Sequence, residues 1–245
     1  MSTKVALVTG ANKGIGFETA KQLAQQGVKV IATARNEAKG NAAVEELKQQ
    51  GLDVEFLKLD VDNDADIDAA YNYINSKYGK LDILVNNAGV QIESSNWAEN
   101  TSTNIEETVL RETLDTNFFS VVKLTGRLLP LIKKSNAGRI VNLSSILGSL
   151  TLHATPSSPI YDSKLFAYNA SKTALNAYTV HIAHALKDTN VKVNAAHPGW
   201  VKTDMGTDAA PMNVTDGAKT SVELSLLNED GPNGKYLHLG EELPW

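Results

Sequence analysis

The chain has 245 residues, 42% of them hydrophobic and 21% charged, with a formal net charge of -5 and no cysteine. This composition excludes a disordered or collagen-like chain, and the lack of thiols excludes disulfides, thiolate metal sites and cysteine nucleophiles. With no long basic run, no signal peptide read at MSTKVALVTG and no stretch of about 18 apolar residues, neither nucleic acid nor membrane is an expected partner. A small molecule is, in a cytoplasmic setting.

Short apolar β-rich runs alternate with longer amphipathic segments: KVALVT, then 16–26, VKVIATA, then 38–50, VEFLKLD, then 64–78, and DILVNN. Continuous Val/Ile/Leu runs suit strands covered on both faces, which predicts a parallel sheet with right-handed crossovers. Gly27, Gly51 and Gly79 stand where helix C-caps are needed. The second half continues with a helical stretch over 105–134, strand RIVNL at 139–143 and a helix over 165–187. Strand VKVNAAH at 191–197 and strand KYLHL at 235–239 follow. The pattern predicts one α/β domain over 1–245, a Rossmann-type doubly wound parallel sheet flanked by helices on both faces. Ligands of such sheets bind at the C-terminal strand ends.

The first strand runs into TGANKGIG, with Gly10, Gly14 and Gly16 directly before a helix. Glycines there let the backbone approach a pyrophosphate, which then sits on the free N–H groups of the helix N-terminus. The second strand ends in ATARN, with Arg35 where an acidic residue would accept from a free ribose 2'-hydroxyl. Arg35 together with Lys13 in the glycine loop favours a 2'-phosphate, and so NADP(H) over NAD(H). A second constellation is YDSKLFAYNASK at 161–172, where Tyr161 precedes Lys164 and Tyr168 precedes Lys172 within one helical turn. A tyrosine becomes an acid–base catalyst near neutral pH when a neighbouring cation stabilises its phenolate, and both pairs satisfy that spacing.

TGANKGIG at 9–16, LDV at 59–61, NNAG at 86–89, Asn117 in LDTNFFS, NLSS at 142–145, YNASK at 168–172 and PGWVKT at 198–203 occur in order. Over about 200 residues the chain resembles the short-chain dehydrogenase/reductase family, and within it the NADPH-dependent carbonyl reductases. The resemblance selects Tyr168, because the family signature Tyr-x-x-x-Lys is Tyr168-Asn-Ala-Ser-Lys172, whereas Tyr161 and Lys164 make only Tyr-x-x-Lys. It implies reduction of a ketone or aldehyde by hydride transfer, with Tyr168 as general acid, Lys172 tuning it and binding the nicotinamide ribose, Ser145 holding the carbonyl oxygen, and Asn117 supplying protons through a water. It further implies cofactor contacts at Gly10, Asn12, Lys13, Gly14, Ile15, Gly16 and Arg35, at Asp60 and Val61, at Asn87, Ala88 and Gly89, and at Pro198, Gly199, Val201 and Thr203.

Ser145 stands 23 positions before Tyr168 where the family usually has about 13, so LTLHATPSSPIYDS resembles an insertion of about ten residues. Carbonyl reductases of the monomeric type carry a longer one there, which supports the kinship; the resemblance also implies that the insertion lies where family tetramers commonly pack helix against helix, which suggests a monomer or homodimer rather than a tetramer. The substrate pocket is expected from 146–160, the segment near Trp97, Trp200 and a mobile loop over 204–215. Tyr161 is then a lip or core aromatic and Lys164 a solvated charge. His181 and His184 lack a third ligand and suggest no metal. The sequons at Asn142, Asn169 and Asn213 carry little weight without a secretory signal. Two other functions use the same residues: a 3-oxoacyl carrier-protein reductase, and a non-catalytic NADP-sensing regulator, which would typically lose the tyrosine or lysine.

Overall fold

A computed structural model of the chain describes residues 3–94 and 99–245. Strands β1 (Val5–Val8), β2 (Lys29–Ala34), β3 (Val54–Lys58), β4 (Ile83–Asn86), β5 (Arg139–Leu143), β6 (Lys192–Ala196), β7 (Tyr236–His238) and β8 (Glu241–Glu242) form one sheet in the order β3-β2-β1-β4-β5-β6-β7-β8. Every neighbouring pair is parallel except β7 and β8. The β8 strand was not expected: the chain reverses at Leu239 and Gly240, with φ of 46° and 84°, which is the left-handed geometry of a two-residue hairpin turn.

Alternation along the strands explains why both faces are covered. From β1, Val5 and Leu7 enter a cluster with Leu84, Ile74, Leu128 and Ile182, whereas Ala6 and Val8 enter another with Val85, Leu23, Val44 and Val222. Helices α3 (Asp64–Tyr78), α5 (Ser120–Ile132) and α7 (Phe166–Ala185) therefore cover one face. Helices α1 (Gly14–Gln25), α2 (Glu37–Gln49) and α8 (Val214–Ser225) cover the other. Fully buried leucines such as Leu7, Leu23 and Leu128 each contribute about 1.5–3 kcal/mol by leaving water. The sheet is doubly wound, as the apolar pattern predicted, and its order reverses beside β1, whose neighbours are β2 and β4. A crevice opens at the carboxyl ends of the strands at such a point.

Three departures from the predicted elements bear on that crevice. The helix expected over 105–134 is α4 (Glu107–Leu114), then a π-helical turn (Asp115–Phe119), then α5. A short helix, α6 (Leu150–Ala154), forms inside the insertion. Helix α8 was not anticipated, and its first residues, Val214 and Thr215, belong to the stretch expected to be a mobile loop. Asn213 caps it by accepting from the Asp216 amide at 2.8 Å, and a side chain at Gly217 would collide with Val201, so the glycine that weakens the helix signal is what lets the helix approach.

Candidate active site

The glycine turn leads from β1 into α1. Gly10 and Gly14 have φ of 64° and 58°, and a side chain on Gly16 would run into the Asn87 amide and the Gly10 carbonyl. Asn87 clamps the turn: its side-chain nitrogen donates to the Thr9 and Gly10 carbonyls at 2.7 and 3.3 Å, while the amides of Asn87 and Ala88 donate to the Thr9 hydroxyl. Lys13 occupies the N-cap of α1 and places no side-chain acceptor on the helix, whose first turn holds no acidic residue. An uncapped N-terminus lined by glycine, with Ile15 in its first turn, fits the pyrophosphate of a dinucleotide.

Beside this turn lies an open cleft of about 460 Å³ lined by Asn12, Lys13, Phe17, Lys39, Ala42 and Glu46. Arg35 is exposed at the end of β2. Lys39 was missed in the sequence, although a lysine in the first turn of a helix opposes the helix dipole and is a usable signal. Lys13 is not free: it donates at 2.5 Å to Asp204, and Lys13 first and Lys39 less hold that carboxyl below its ordinary range. Asp60 follows β3 and accepts from the Asp62 amide; the cap of α3 is Asn63 instead. Val61 is buried in the core.

Across the crevice, α7 carries Tyr168 and Lys172. Lys172 is buried, donates to the Leu143 carbonyl at 2.8 Å and lies 5.6 Å from the centre of the Tyr168 ring. Burial pushes its ammonium down to about 8. Burial also raises the Tyr168 hydroxyl to about 12; the hydrogen bond with Ser145 pulls it back in part and the Glu93 charge adds to the rise. The cation-driven lowering expected from Lys172 is therefore not what the site displays, since burial wins and the phenol stays protonated at neutral pH. Ser145 follows β5, and its hydroxyl also accepts from the Leu147 amide at 3.3 Å.

Asn117 lies in the π-helical turn, buried. Its amide exchanges two 2.8 Å hydrogen bonds with the backbone of Val90 and donates at 3.0 Å to Ser171 on α7. The wider turn explains the break in the expected helix: a π turn often rotates a functional side chain inward. Gly89 sits between, where a side chain would stand 3.1 Å from the Asn117 oxygen and 3.6 Å from the Lys172 nitrogen. Buried polar groups tie α5 and α7 to the sheet: Asn86 donates to Thr125 and Asn142, and Asn142 donates to Thr179. Thus Asn142 is a buried strut, and its sequon has a structural reason.

After β6, Pro198 and Gly199 lead to Val201, which is buried, and Thr203, whose methyl group is the nearest neighbour of the side-chain position at Gly14. Trp200 is 56% exposed and donates to the Gly206 carbonyl at 2.7 Å, so it belongs to no core. In the insertion, Lys164 is more than a solvated charge: it donates to the His153 carbonyl at 2.9 Å and lies over the Tyr161 ring. Trp97 falls outside the described residues. Two groups that the sequence did not flag stand nearby. Glu93 is buried against the start of α7, and the His197 ring accepts from the Ile146 amide at 3.1 Å, its pKa held down to about 3 chiefly by burial. Among the described residues no cluster of three potential metal ligands occurs, and no helix is long and apolar enough to cross a membrane.

A sheet of this order, with a glycine-lined turn at its switch point and a Tyr-Lys pair across the crevice, defines the class of nucleotide-binding α/β oxidoreductases. The sequence model of the family described as short chain dehydrogenase matches residues 4–213. Carbonyl reductase [NADPH] 3 of Rattus norvegicus is 35% identical, over 96% of this chain and 96% of that one. (+)-Neomenthol dehydrogenase of Capsicum annuum is 32% identical, over 98% and 97%. The crystal structure of an NADPH-bound carbonyl reductase from chicken fatty liver superposes with a TM-score of 0.85 at 28% identity, covering 100% of both chains. The chain belongs to the short-chain dehydrogenase family and is an oxidoreductase.

Proposed function

We propose that the chain is an NADPH-dependent reductase that converts a ketone or aldehyde to an alcohol. The observation that carries this reading is the convergence, at the carboxyl end of β5, of Ser145, the Tyr168 hydroxyl bonded to it, and buried Lys172. The cofactor would be held by the glycine turn (Gly10, Asn12, Gly14, Ile15, Gly16), by Asp60 and Val61 toward adenine, by Asn87 to Gly89 and Lys172, and by Pro198, Gly199, Val201 and Thr203. Lys13, Lys39 and Arg35 supply cations for a ribose 2'-phosphate, which accounts for NADPH over NADH. When bound, the reduced nicotinamide supplies the hydride.

The rest is done by the protein. As negative charge develops on the carbonyl oxygen, the Ser145 hydroxyl donates to it, a contribution of about 2.7–4 kcal/mol for one well-placed donor. Tyr168 then gives up its proton, which burial has kept on the phenol. The Lys172 ammonium stabilises the phenolate left behind, and Asn117, fixed to Val90 and Ser171, lies on the path that returns a proton. The exposed side chains of Ile92, Tyr161, Trp200 and Met205 favour an apolar or aromatic substrate. The test is NADPH oxidation by purified protein over a panel of ketones, aldehydes, quinones and acyl thioesters. Turnover of simple carbonyls above thioesters is expected; turnover of thioesters alone would move the assignment to a 3-oxoacyl reductase, and none at all to a sensor.

A further inference from the structure

Helix α7 begins without a cap of its own, because Leu165 offers no side-chain acceptor. Its first amides are nevertheless all taken from outside the helix. Phe166 donates to the Asn100 carbonyl at 2.9 Å, and the amides of Ala167 and Tyr168 donate to the two carboxylate oxygens of Glu93 at 2.8 and 3.1 Å. Glu93 is only 8% exposed, so this is a buried carboxylate on a helix N-terminus, the strong form of a charge-assisted cap. The segment that carries it is also held at Val90 by two of the hydrogen bonds of Asn117. Asn117 donates to Ser171, whose hydroxyl donates to the Tyr168 carbonyl at 2.7 Å. The contacts close a ring from Asn117 through Val90, Glu93 and Tyr168 to Ser171 and back.

We propose that Glu93 is a positioning residue for the carbonyl reduction assigned above, a reading on which this inference rests: its carboxylate sets the height and rotation of α7 so that the Tyr168 hydroxyl stays on Ser145. Burial raises the Glu93 carboxyl and the Ala167 and Tyr168 amides pull it back in part; once ionised, its charge opposes ionisation of that hydroxyl. The other titratable groups around the hydroxyl are Lys172 on α7 and Tyr236 on β7, with the Ser145 hydroxyl donating or accepting from the end of β5. Loss of reach and loss of charge are told apart by what each variant changes. Glu93→Asp keeps the charge but is one methylene too short for both amides, and Glu93→Gln keeps the length but is neutral and, with an NH2 donor in place of one oxygen, accepts from only one of the two amides.

The experiment uses the full chain with 4-nitrobenzaldehyde and NADPH in one direction and 4-nitrobenzyl alcohol with NADP in the other, from about pH 7 to about pH 10.5. Glu93→Asp should lower kcat roughly tenfold, leave the KM for NADPH within about twofold, and leave the rise of alcohol oxidation with pH where the parent protein has it. Glu93→Gln should move that rise to lower pH, because a negative charge has left the phenol. Either variant, if folded, decides the matter: an unchanged kcat in the first or an unmoved pH rise in the second overturns the proposal and leaves Glu93 a cap for stability alone. Tyr168→Phe is measured alongside. If it turns over as fast as the parent protein, or the parent does not turn over, the reading of the reaction has failed rather than the role of Glu93.

Discussion

Tyr168 and Tyr161 form an internal control at the scale of single residues. Tyr168→Phe removes the transferable proton and keeps the ring, so turnover should fall by roughly 10²- to 10⁴-fold with NADPH affinity nearly unchanged. Tyr161 is partly exposed beside Lys164, and Tyr161→Phe should alter KM modestly; the reverse pattern in steady-state kinetics would reassign the acid. Reduction also needs a charged Lys172. Since burial depresses that ammonium to about 8 while the phenol stays protonated to about 12, kcat/KM for reduction should fall as pH rises through about 8. A profile flat to about pH 10 would mean that the lysine's charge is dispensable. Asp204 holds Lys13 in competition with a 2'-phosphate. Asp204→Asn should therefore tighten NADPH and leave NADH unchanged in a fluorescence titration, whereas equal weakening of both would make the pair a clasp on the cofactor. The Tyr-Lys spacing was legible in the sequence. Lys13–Asp204 and Glu93 were not, because each joins residues whose separation along the chain no local pattern encodes.

The secondary-structure elements were read most accurately where one force dominates. Buried parallel strands advertise themselves as continuous Val/Ile/Leu runs, and β1 to β6 lie where those runs predicted. The π-helical turn escaped because its cause is tertiary: Asn117 is drawn onto the Val90 backbone, which spacing within 105–134 cannot report. Helix α8 escaped because Gly217 weakens its pattern in order to let Val201 in. The seating of α7 depends on polar struts of the same hidden kind, above all Asn142, which accepts from Asn86 and donates to Thr179. Asn142→Ala would take one hydrogen bond from each of two buried groups, leaving the Asn86 amide with Thr125 alone and the Thr179 hydroxyl with the Leu175 carbonyl alone. It should cost about 1–3 kcal/mol in urea denaturation, and more than replacement of an exposed asparagine such as Asn72 on α3. A stability equal to that of the parent protein would show that water replaces the strut.

At the scale of the molecule, the question left by the fold is how many copies associate. The insertion supplies the argument. Between Ser145 and α7 it folds onto the protein's own surface: the Thr151 amide of α6 donates to the Trp245 carbonyl, Trp245 stacks on buried Tyr236 at 5.4 Å, and Lys164 ties the far end back to His153. Family tetramers commonly pack helix against helix in this region, and here the insertion already occupies surface there. The outer side of α5 is charged, with Lys123 and Arg127 paired to Asp64 and Asp68 of α3, and charge is depleted from the centres of stable interfaces. The net charge of -5 adds a small mutual repulsion. A stable tetramer would need further interfaces of about 800 Å² per partner. Light scattering at micromolar protein should therefore give the mass of one or two 26.4 kDa chains. Shortening the insertion between Leu150 and Ser158 should raise the tendency to associate, by uncovering the surface it occupies. A stable tetramer of the intact chain would overturn the argument, and an unchanged mass after shortening would show that the insertion is not what limits assembly.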